Sequence, residues 1–489
     1  MRMVTIVAFA IAAALVQLPG FRPVQPDLFA AGGTFTNAVA DFDGDGDLDL
    51  FVGFNGAANR LYRNDDGVFT DVAATLGLAG TRPTRAAAWG DYDGDGDADL
   101  LLGFTPAGGP VLGLLRNDGA RFTDVTGDAG LRLDSAAVRQ TAWIDVDDDG
   151  DVDLFVALRD RPNRLFRNET GRFTDIAAAV GLADARRTVG AVWFDYDEDG
   201  DIDLYTGNMD GDANGLFRND GGRFVDVAAA AGLAWGGRTP GDPANGTVRP
   251  CAADIDGDGR IDVFTANYGT NGLFLNRGGG MFEDVSTAWG IAIDARYDSC
   301  AFADFDHDGR LDLYVNGTVT GGVSYRDHLF HNNGDTFVDV TPATVQELHA
   351  DHGVQWLDFD RDGDLDLALT GAQPAGTHAL LENTLPGNAA RRSLHVMVLD
   401  ARGRATRAGA EVRVFAAGTE RLLGTRLVDS GSGYDSQNLA PVHFGLPTLD
   451  AVDVDVAFPS ARGRQHVRVR GVDPREWSGR ILEIRTDRT

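Results

Sequence analysis

A seven-bladed, all-β propeller followed by a smaller β domain is the fold this sequence predicts, and three observations predict it. A nine-residue run, Asp-x-Asp-x-Asp-Gly-x-x-Asp, recurs seven times in the 489 residues, with starts 50 to 59 residues apart. That spacing is the length of one propeller blade. The flanks of each run alternate as strands do: Leu48, Leu50 and Val52 share one face in the first copy, and Ile202, Leu204 and Thr206 in the fourth. Past Leu385-Pro386-Gly387 the run stops, and residues 391 to 489 become arginine-rich with a period of two, as in Val452-Asp-Val454-Asp-Val456.

The chain opens Met-Arg-Met and stays apolar from Val4 to Val16. A short basic start and an apolar stretch this brief read as a signal peptide over residues 1–20, too short to span a bilayer comfortably. No later segment approaches 18 apolar residues, so an exported chain without a membrane span is expected. The propeller is assigned to residues 27–386. Its seventh copy runs only to Leu380-Leu381-Glu382-Asn383 and lacks the Phe-x-Asp-Val that follows the other hairpins. The stretch from Phe21 to Val39 has no run upstream of it. It is therefore expected to supply the missing strand and close the ring, which removes an open sheet edge.

In each run the first position is Asp41, Asp91, Asp145, Asp195, Asp254, Asp304 or Asp358, and the third Asp43, Asp93, Asp147, Asp197, Asp256, Asp306 or Asp360. The fifth is Asp45, Asp95, Asp149, Asp199, Asp258, Asp308 or Asp362, and the ninth Asp49, Asp99, Asp153, Asp203, Asp262, Asp312 or Asp366. Four carboxylates around one glycine repel unless a hard cation neutralises them, and oxygen-only donors in a flexible loop favour calcium. The seventh position is Asp47, Asp97, Asp151, Asp201 or Asp364 in five runs, but Arg260 and Arg310 in the other two. A position that tolerates either sign is expected to offer its backbone carbonyl rather than its side chain. About seven calcium ions are thus predicted. The helical EF-hand is excluded, because its twelfth-position glutamate is Val52 in the first run. Trp89, Trp143, Trp193, Trp356 and Phe302, two residues before their runs, read as blade core.

The seven runs hold 35 of the 74 acidic residues, which accounts for the net charge of −31; outside them 39 acids face 40 arginines. Such a surface argues against nucleic acid as a partner. Between runs lies an outer hairpin: Asn59-Arg-Leu61-Tyr-Arg-Asn64, a glycine turn, then Phe69-Thr-Asp71-Val72. A small segment such as Ala73 to Leu78 leads to the next blade. Cys251 and Cys300 precede the fifth and sixth runs at near-equivalent places, so a disulfide and two buried thiols are both open. The Gly232–Pro250 linker, with Trp235, is either a recognition loop or a plain insertion. His307, His328, His331, His349 and His352 cluster in sequence without the spacing of a metal motif.

The runs with their hairpins resemble the FG-GAP repeats of integrin α-subunit propellers, and Ser430-Gly-Ser-Gly-Tyr434-Asp-Ser436-Gln437-Asn438 with His443-Phe-Gly-Leu446 resembles the ASPIC and UnbV signature. Propeller plus this tail, residues 391–489, is the layout of the cartilage acidic protein family and its bacterial relatives. The tail departs from that family at Thr406–Glu411 and at Phe458–Ala461. The resemblance implies architecture more readily than activity; the leading expectation is a secreted, periplasmic or cell-surface monomer that binds an exported protein or a glycan, with calcium structural and no catalysis. A calcium-dependent polysaccharide lyase and a maturation factor for other exported proteins are the alternatives. The sequence contains no Gly-x-Ser-x-Gly and no His-Glu-x-x-His, and no nucleophile–base pair can be picked out of it.

Overall fold

The computed structural model of the protein describes residues 18–348, 352–372, 378–460 and 462–486; the expected signal segment up to Gln17, and His349, lie outside them. Thr34–Ala40, Asp49–Phe54, Arg60–Asp65 and Val68–Asp71 form an antiparallel sheet in chain order. The same order repeats in sheets whose innermost strands are Thr84–Gly90, Val138–Ile144, Thr188–Phe194, Gly246–Ala253 and Asp294–Ala303. The fifth and sixth are joined at one corner, where Tyr268–Thr270 pairs with Asp294–Arg296. Each innermost strand packs against the next, and Gly353–Leu357 of the last sheet packs against Thr34–Ala40 of the first. The sheets thus close on themselves as a propeller.

Closure follows the expected logic. Gly353–Leu357, Asp366–Thr370 and Ala379–Asn383 lack an outer partner of their own, and Phe21–Pro23 supplies it. Phe21 pairs with Asn383 and Pro23 with Leu381. The edge it covers is therefore that of Ala379–Asn383. Pro23 suits this place, since an outermost strand needs no second row of N–H donors. Deleting the chain through Pro23 should uncover that edge and cause aggregation, read by size exclusion and thermal melting; a deletion that stays monomeric with unchanged melting would show that the seam is dispensable.

The core is a ring of wedges rather than one centre. Each cluster of buried side chains draws on two neighbouring sheets: Phe42 and Leu61 meet Trp89 and Leu100, and Ile144 and Phe155 meet Trp193 and Leu204. Trp89, Trp143 and Trp193 are wholly buried, as expected of blade core. Single helical turns such as Ala73–Leu76 fill the corner before the next blade and stop at a glycine in the left-handed region, Gly77 at φ 84°. Cys251 and Cys300 form a disulfide between the innermost strands of the fifth and sixth sheets, with 6.3 Å between Cα atoms.

The tail folds as two small sheets. One contains Val442–Gly445, Ser393–Leu399 and Ile481–Arg485; the other Leu422–Leu427, Glu411–Ala416, Val452–Phe458 and Gln465–Val472. Val396, Val412, Phe444, Val454 and Leu482 make its core. The sequence reads as a separate domain on a Pro/Gly linker, and here the structure differs. Residues 430–438 leave the tail and enter the central channel of the propeller. Ser436–Gln437 adds a parallel bridge to Ala87–Ala88. Ser430 Oγ accepts from Trp193 N, Gln437 Oε1 from Trp143 N, and Asn438 Oδ1 from Val39 N. At the tip of the insertion Tyr434 O accepts from Thr36 Oγ1 at 2.9 Å. The innermost strands need these partners, because their channel-facing N–H and C=O groups have no further sheet to pair with.

Candidate functional site

The seven acidic runs become seven loops, each joining an innermost strand to the next and all lying at one end of the channel. Their internal hydrogen bonds are the same throughout. The first-position carboxylate accepts the N–H of the glycine at position six, as in Gly46 to Asp41, Gly200 to Asp195 and Gly363 to Asp358. The fifth-position carboxylate accepts the N–H of position seven, as in Asp47 to Asp45 and Arg310 to Asp308. That turn needs a left-handed backbone at position six, where φ runs from 89° at Gly150 to 107° at Gly363. Position four is also left-handed, and there only three loops carry glycine. Asp148, Glu198, His307 and Arg361 hold φ between 56° and 60°.

These bonds turn carboxylates inward. Oxygens of Asp41, Asp43 and Asp45 lie within 4.8 Å of one another, as do those of Asp145, Asp147 and Asp149, and of Asp195, Asp197 and Asp199. In the second loop Asp91 and Asp93 converge with the ninth-position Asp99 within the same distance. Burial, with repulsion from neighbouring carboxylates, pushes Asp91 up to about 6 and Asp195 to about 7, against an ordinary carboxylate value near 4. One Oδ1 in each of Asp145, Asp197, Asp254 and Asp358 is buried without a hydrogen-bond partner. Buried acceptors are normally satisfied, so these loops fit a hard cation.

The ninth position does a second job. Asp49 accepts from Phe42 N through one oxygen and from Asn64 N through the other, at 3.0 and 2.8 Å. The same pair recurs at every loop, ending with Asp366 between Phe359 N and Asn383 N. Burial pushes Asp49, Asp99 and Asp153 up to about 8 and Asp203 to about 9. Asp262, Asp312 and Asp366 are likewise raised well above the ordinary carboxylate value by burial.

The asparagine at the end of this bond is what reading the sequence missed. Asn117 Nδ2 donates to Ala98 O in its own loop and to Phe42 O in the preceding one. Asn64, Asn168, Asn276, Asn332 and Asn383 repeat the link to the loop before, through Phe359, Tyr92, Tyr196, Ile255 and Phe305. The signal was present in the recurring Asn of each hairpin, but nothing local shows that its amide reaches a neighbouring blade.

Three of the seventh-position side chains are held in the hairpin turn. Asp47, Asp151 and Asp201 accept from Asp66 N, Thr170 N and Gly221 N in the hairpin turn. Arg260 and Arg310 donate through Nε to Asn276 O and Asn332 O and also pair with the fifth-position carboxylates of their own loops, Asp258 and Asp308. The last loop differs: both oxygens of Asp364 are buried without partners, because the hairpin turn it would meet is replaced by the chain-closing strand. The sixth loop differs too. His331 stands where other blades carry Arg63, Arg116, Arg167 and Arg218, and its Nε2 lies 3.1 Å from Asp306 and 3.5 Å from Asp308. One member of the histidine cluster therefore does join a carboxylate group. His328 instead pairs with Asp339 at 3.0 Å, and His307 bonds Ala389 O.

The tail covers this face. Arg407 reaches Asp148, Arg404 reaches Asp151, Arg413 and Arg464 reach Glu198, and Arg464 also reaches Asp195 at 3.1 Å. Three of the four strained position-four residues, Asp148, Glu198 and His307, thus hold the tail or the linker into it. The Trp235 linker is likewise packed, with Arg238 buried and bonded to Asn208 O, Asp212 O and Asn214.

A family model described as FG-GAP-like repeat matches residues 20–102, 145–206, 195–265, 254–315 and 319–369, and one described as ASPIC and UnbV matches 402–474. Cartilage acidic protein 1 of Homo sapiens is 29% identical over 267 residues, covering 51% of this chain and 37% of that protein. Its Xenopus tropicalis counterpart is 28% identical over 268 residues, with 51% and 38% covered. The match thus spans little more than a third of those relatives. Among solved structures, a lectin of Agrocybe aegerita that recognises non-reducing terminal N-acetylglucosamine aligns at TM-score 0.38 and 18% identity over 76% of this chain and 94% of its own. BBS1N, solved in complex with ARL6DN, aligns at TM-score 0.46 and 10% identity over 76% and 97%. By its repeats and its tail, this chain belongs to the FG-GAP-like repeat family and carries a C-terminal ASPIC and UnbV domain.

Proposed function

We propose that the protein is an exported binding protein whose propeller is held together by calcium, one ion in each acidic loop. The observation that carries this reading is the convergence of first-, third- and fifth-position carboxylates, with buried oxygens left without partners. The first, third, fifth and ninth side chains would hold each ion with the carbonyl of position seven. The tail's arginines stand over the loops and offset the charge that remains once divalent cations are bound. With calcium confined to a structural role, recognition of an exported protein or a glycan falls to surfaces outside the loops. A disulfide between adjacent blades suits an oxidising compartment, and no helix among the described residues is long and apolar enough to cross a membrane.

Paired substitutions in one loop test the ligand assignment. Asp197→Ala removes an inward carboxylate and should lower calcium stoichiometry from about seven to six by equilibrium dialysis with metal analysis. Asp201→Arg puts in the fourth loop what the fifth and sixth already carry, so occupancy should hold. Equal losses from both changes would sink the assignment of position seven to its backbone.

A further inference from the structure

The channel mouth opposite the loops is built differently from any other part of the ring. In six of the seven sheets the innermost strand carries a β-bulge near its start, between Thr34 and Thr36, Thr84 and Ala86, Val138 and Thr141, Thr188 and Gly190, Thr247 and Arg249, and Tyr297 and Ser299. A bulge adds a residue to one strand and re-aims its side chain. Here Phe35, Arg85, Arg139, Val189, Val248 and Asp298 are re-aimed, and all six line one cavity of about 790 Å³. A bulge in one sheet is an accident of packing. Six at one level, all feeding one cavity, make a built site.

Its chemistry is cationic in a protein of net charge −31. Arg85, Arg139, Arg159 and Arg296 face it, against Asp210 and Asp298. Three of the four guanidinium groups are occupied. Arg85 donates to the Tyr434 hydroxyl and lies 4.4 Å over Phe35, Arg159 pairs with Asp210 at 3.0 Å, and Arg296 donates to Ala244 O. Arg139 forms no ion pair and no hydrogen bond among the described residues, and its Nε is buried. Burial and the nearby Arg85 lower its pKa. The buried Asp435 carboxylate of the inserted segment is near enough to act on the Arg139 charge, but no acceptor among the described residues lies within hydrogen-bonding distance, and the fork of donors that Arg139 presents fits an oxyanion. Beside it, His352 sits 3.0 Å from Asp298 and stacks on Tyr434 at 3.8 Å between centroids, which leaves its Nε2 without a partner. An oxyanion-binding fork beside a free ring nitrogen is what an acidic, hydroxyl-bearing ligand requires.

We propose that this cup binds an acidic saccharide residue, a uronate or a sugar sulfate, with its oxyanion on Arg139 and a hydroxyl on His352 Nε2. The site deepens the binding reading above, and it gives the tail a part in recognition, since Tyr434 comes from the inserted segment and lines the cup. It rests on that reading only for the class of partner, because neither the bulges nor Arg139 involve the acidic loops.

Isothermal titration of the full chain in saturating calcium tests it, with tetragalacturonate, inorganic sulfate and a neutral glucose oligomer as probes. Tetragalacturonate should bind, the neutral oligomer should not, and Arg139→Ala should weaken binding at least about tenfold. Arg139→Lys keeps the charge facing Asp435 but not the fork of donors, so it should melt with the parent and bind less tightly; an arginine that serves only folding would leave binding unchanged. Binding of sulfate alone, still dependent on Arg139, would overturn the saccharide assignment and leave a small-anion site. No binding by any anion, or binding unchanged in Arg139→Ala, would overturn the site itself. Since calcium stoichiometry is read separately, failure here is distinguishable from failure of the calcium reading.

Discussion

In chelator the protein is expected to melt on the order of 20 °C below its value in millimolar calcium, because each loop saturated at 100 times its dissociation constant adds about 2.7 kcal/mol to the folded state. Restored calcium should recover the loss and magnesium should do so poorly, since magnesium demands a tighter octahedron of oxygens. The unloaded loops are the reason to expect a large effect. Asp145, Asp304 and Asp203 are each buried beside other carboxylates of their own loop, and burial pushes them up to about 7, about 7 and about 9. Without cations they must either protonate or repel. An identical melting curve in chelator and in calcium would end the structural-metal reading.

The second large effect concerns the tail. Read from sequence, residues beyond Asn388 form a domain that can be removed. The structure predicts the opposite, since truncation there takes away residues 430–438 and every bond they make in the channel. Trp143, Trp193 and Val39 would lose acceptors for their backbone N–H, and Gln355 its contacts with Ser436 and Asn438. Each buried donor left alone costs about 1–3 kcal/mol. The truncated propeller should therefore melt well below the full chain and expose apolar channel surface to a fluorescent dye. A full-length variant with residues 430–438 replaced by a short Gly/Ser bridge should show much of the same loss. A truncation that melts with the parent would mean that the insertion contributes nothing to the ring.

What the sequence made legible, and what it hid, divides along one physical line. Period, the position of the acidic loops and Trp89, Trp143 and Trp193 as blade core were visible because each is written in residues close together in the chain, while the closing role of the N-terminal strand followed from the incomplete seventh copy. At position seven, Arg260 and Arg310 stand in for aspartate, and that change of sign is what points to a backbone ligand, which the Asp197 and Asp201 substitutions test. The insertion of Ser430–Asn438 was not legible. Its partners lie hundreds of residues away, and a Gly/Ser-rich stretch looks the same whether it faces water or fills a channel. The charge on Arg139 is equally silent in sequence, since only the bulge beside it shows where that side chain is sent. His331 beside Asp306 was hidden likewise, its ring meeting the loop across a hairpin.

The asparagine links carry one more consequence. Because each amide grips the loop before it, a disturbance in any loop is felt by its neighbour, and a ring coupled this way has no end repeat from which to fray. Such a ring should fail all at once or at its weakest joint. Six joints carry the asparagine link; at the joint between the third and fourth sheets Asn219 donates to Ile202 O in its own loop, and no bond to Val146 is found among the described residues. Arg407 and Arg464 fall on the two sides of that joint, one on Asp148 and the other on Asp195. The tail is thus a buckle fastened where the belt is thinnest, and hydrogen exchange in a chain without it should open first between Asp145 and Asp203.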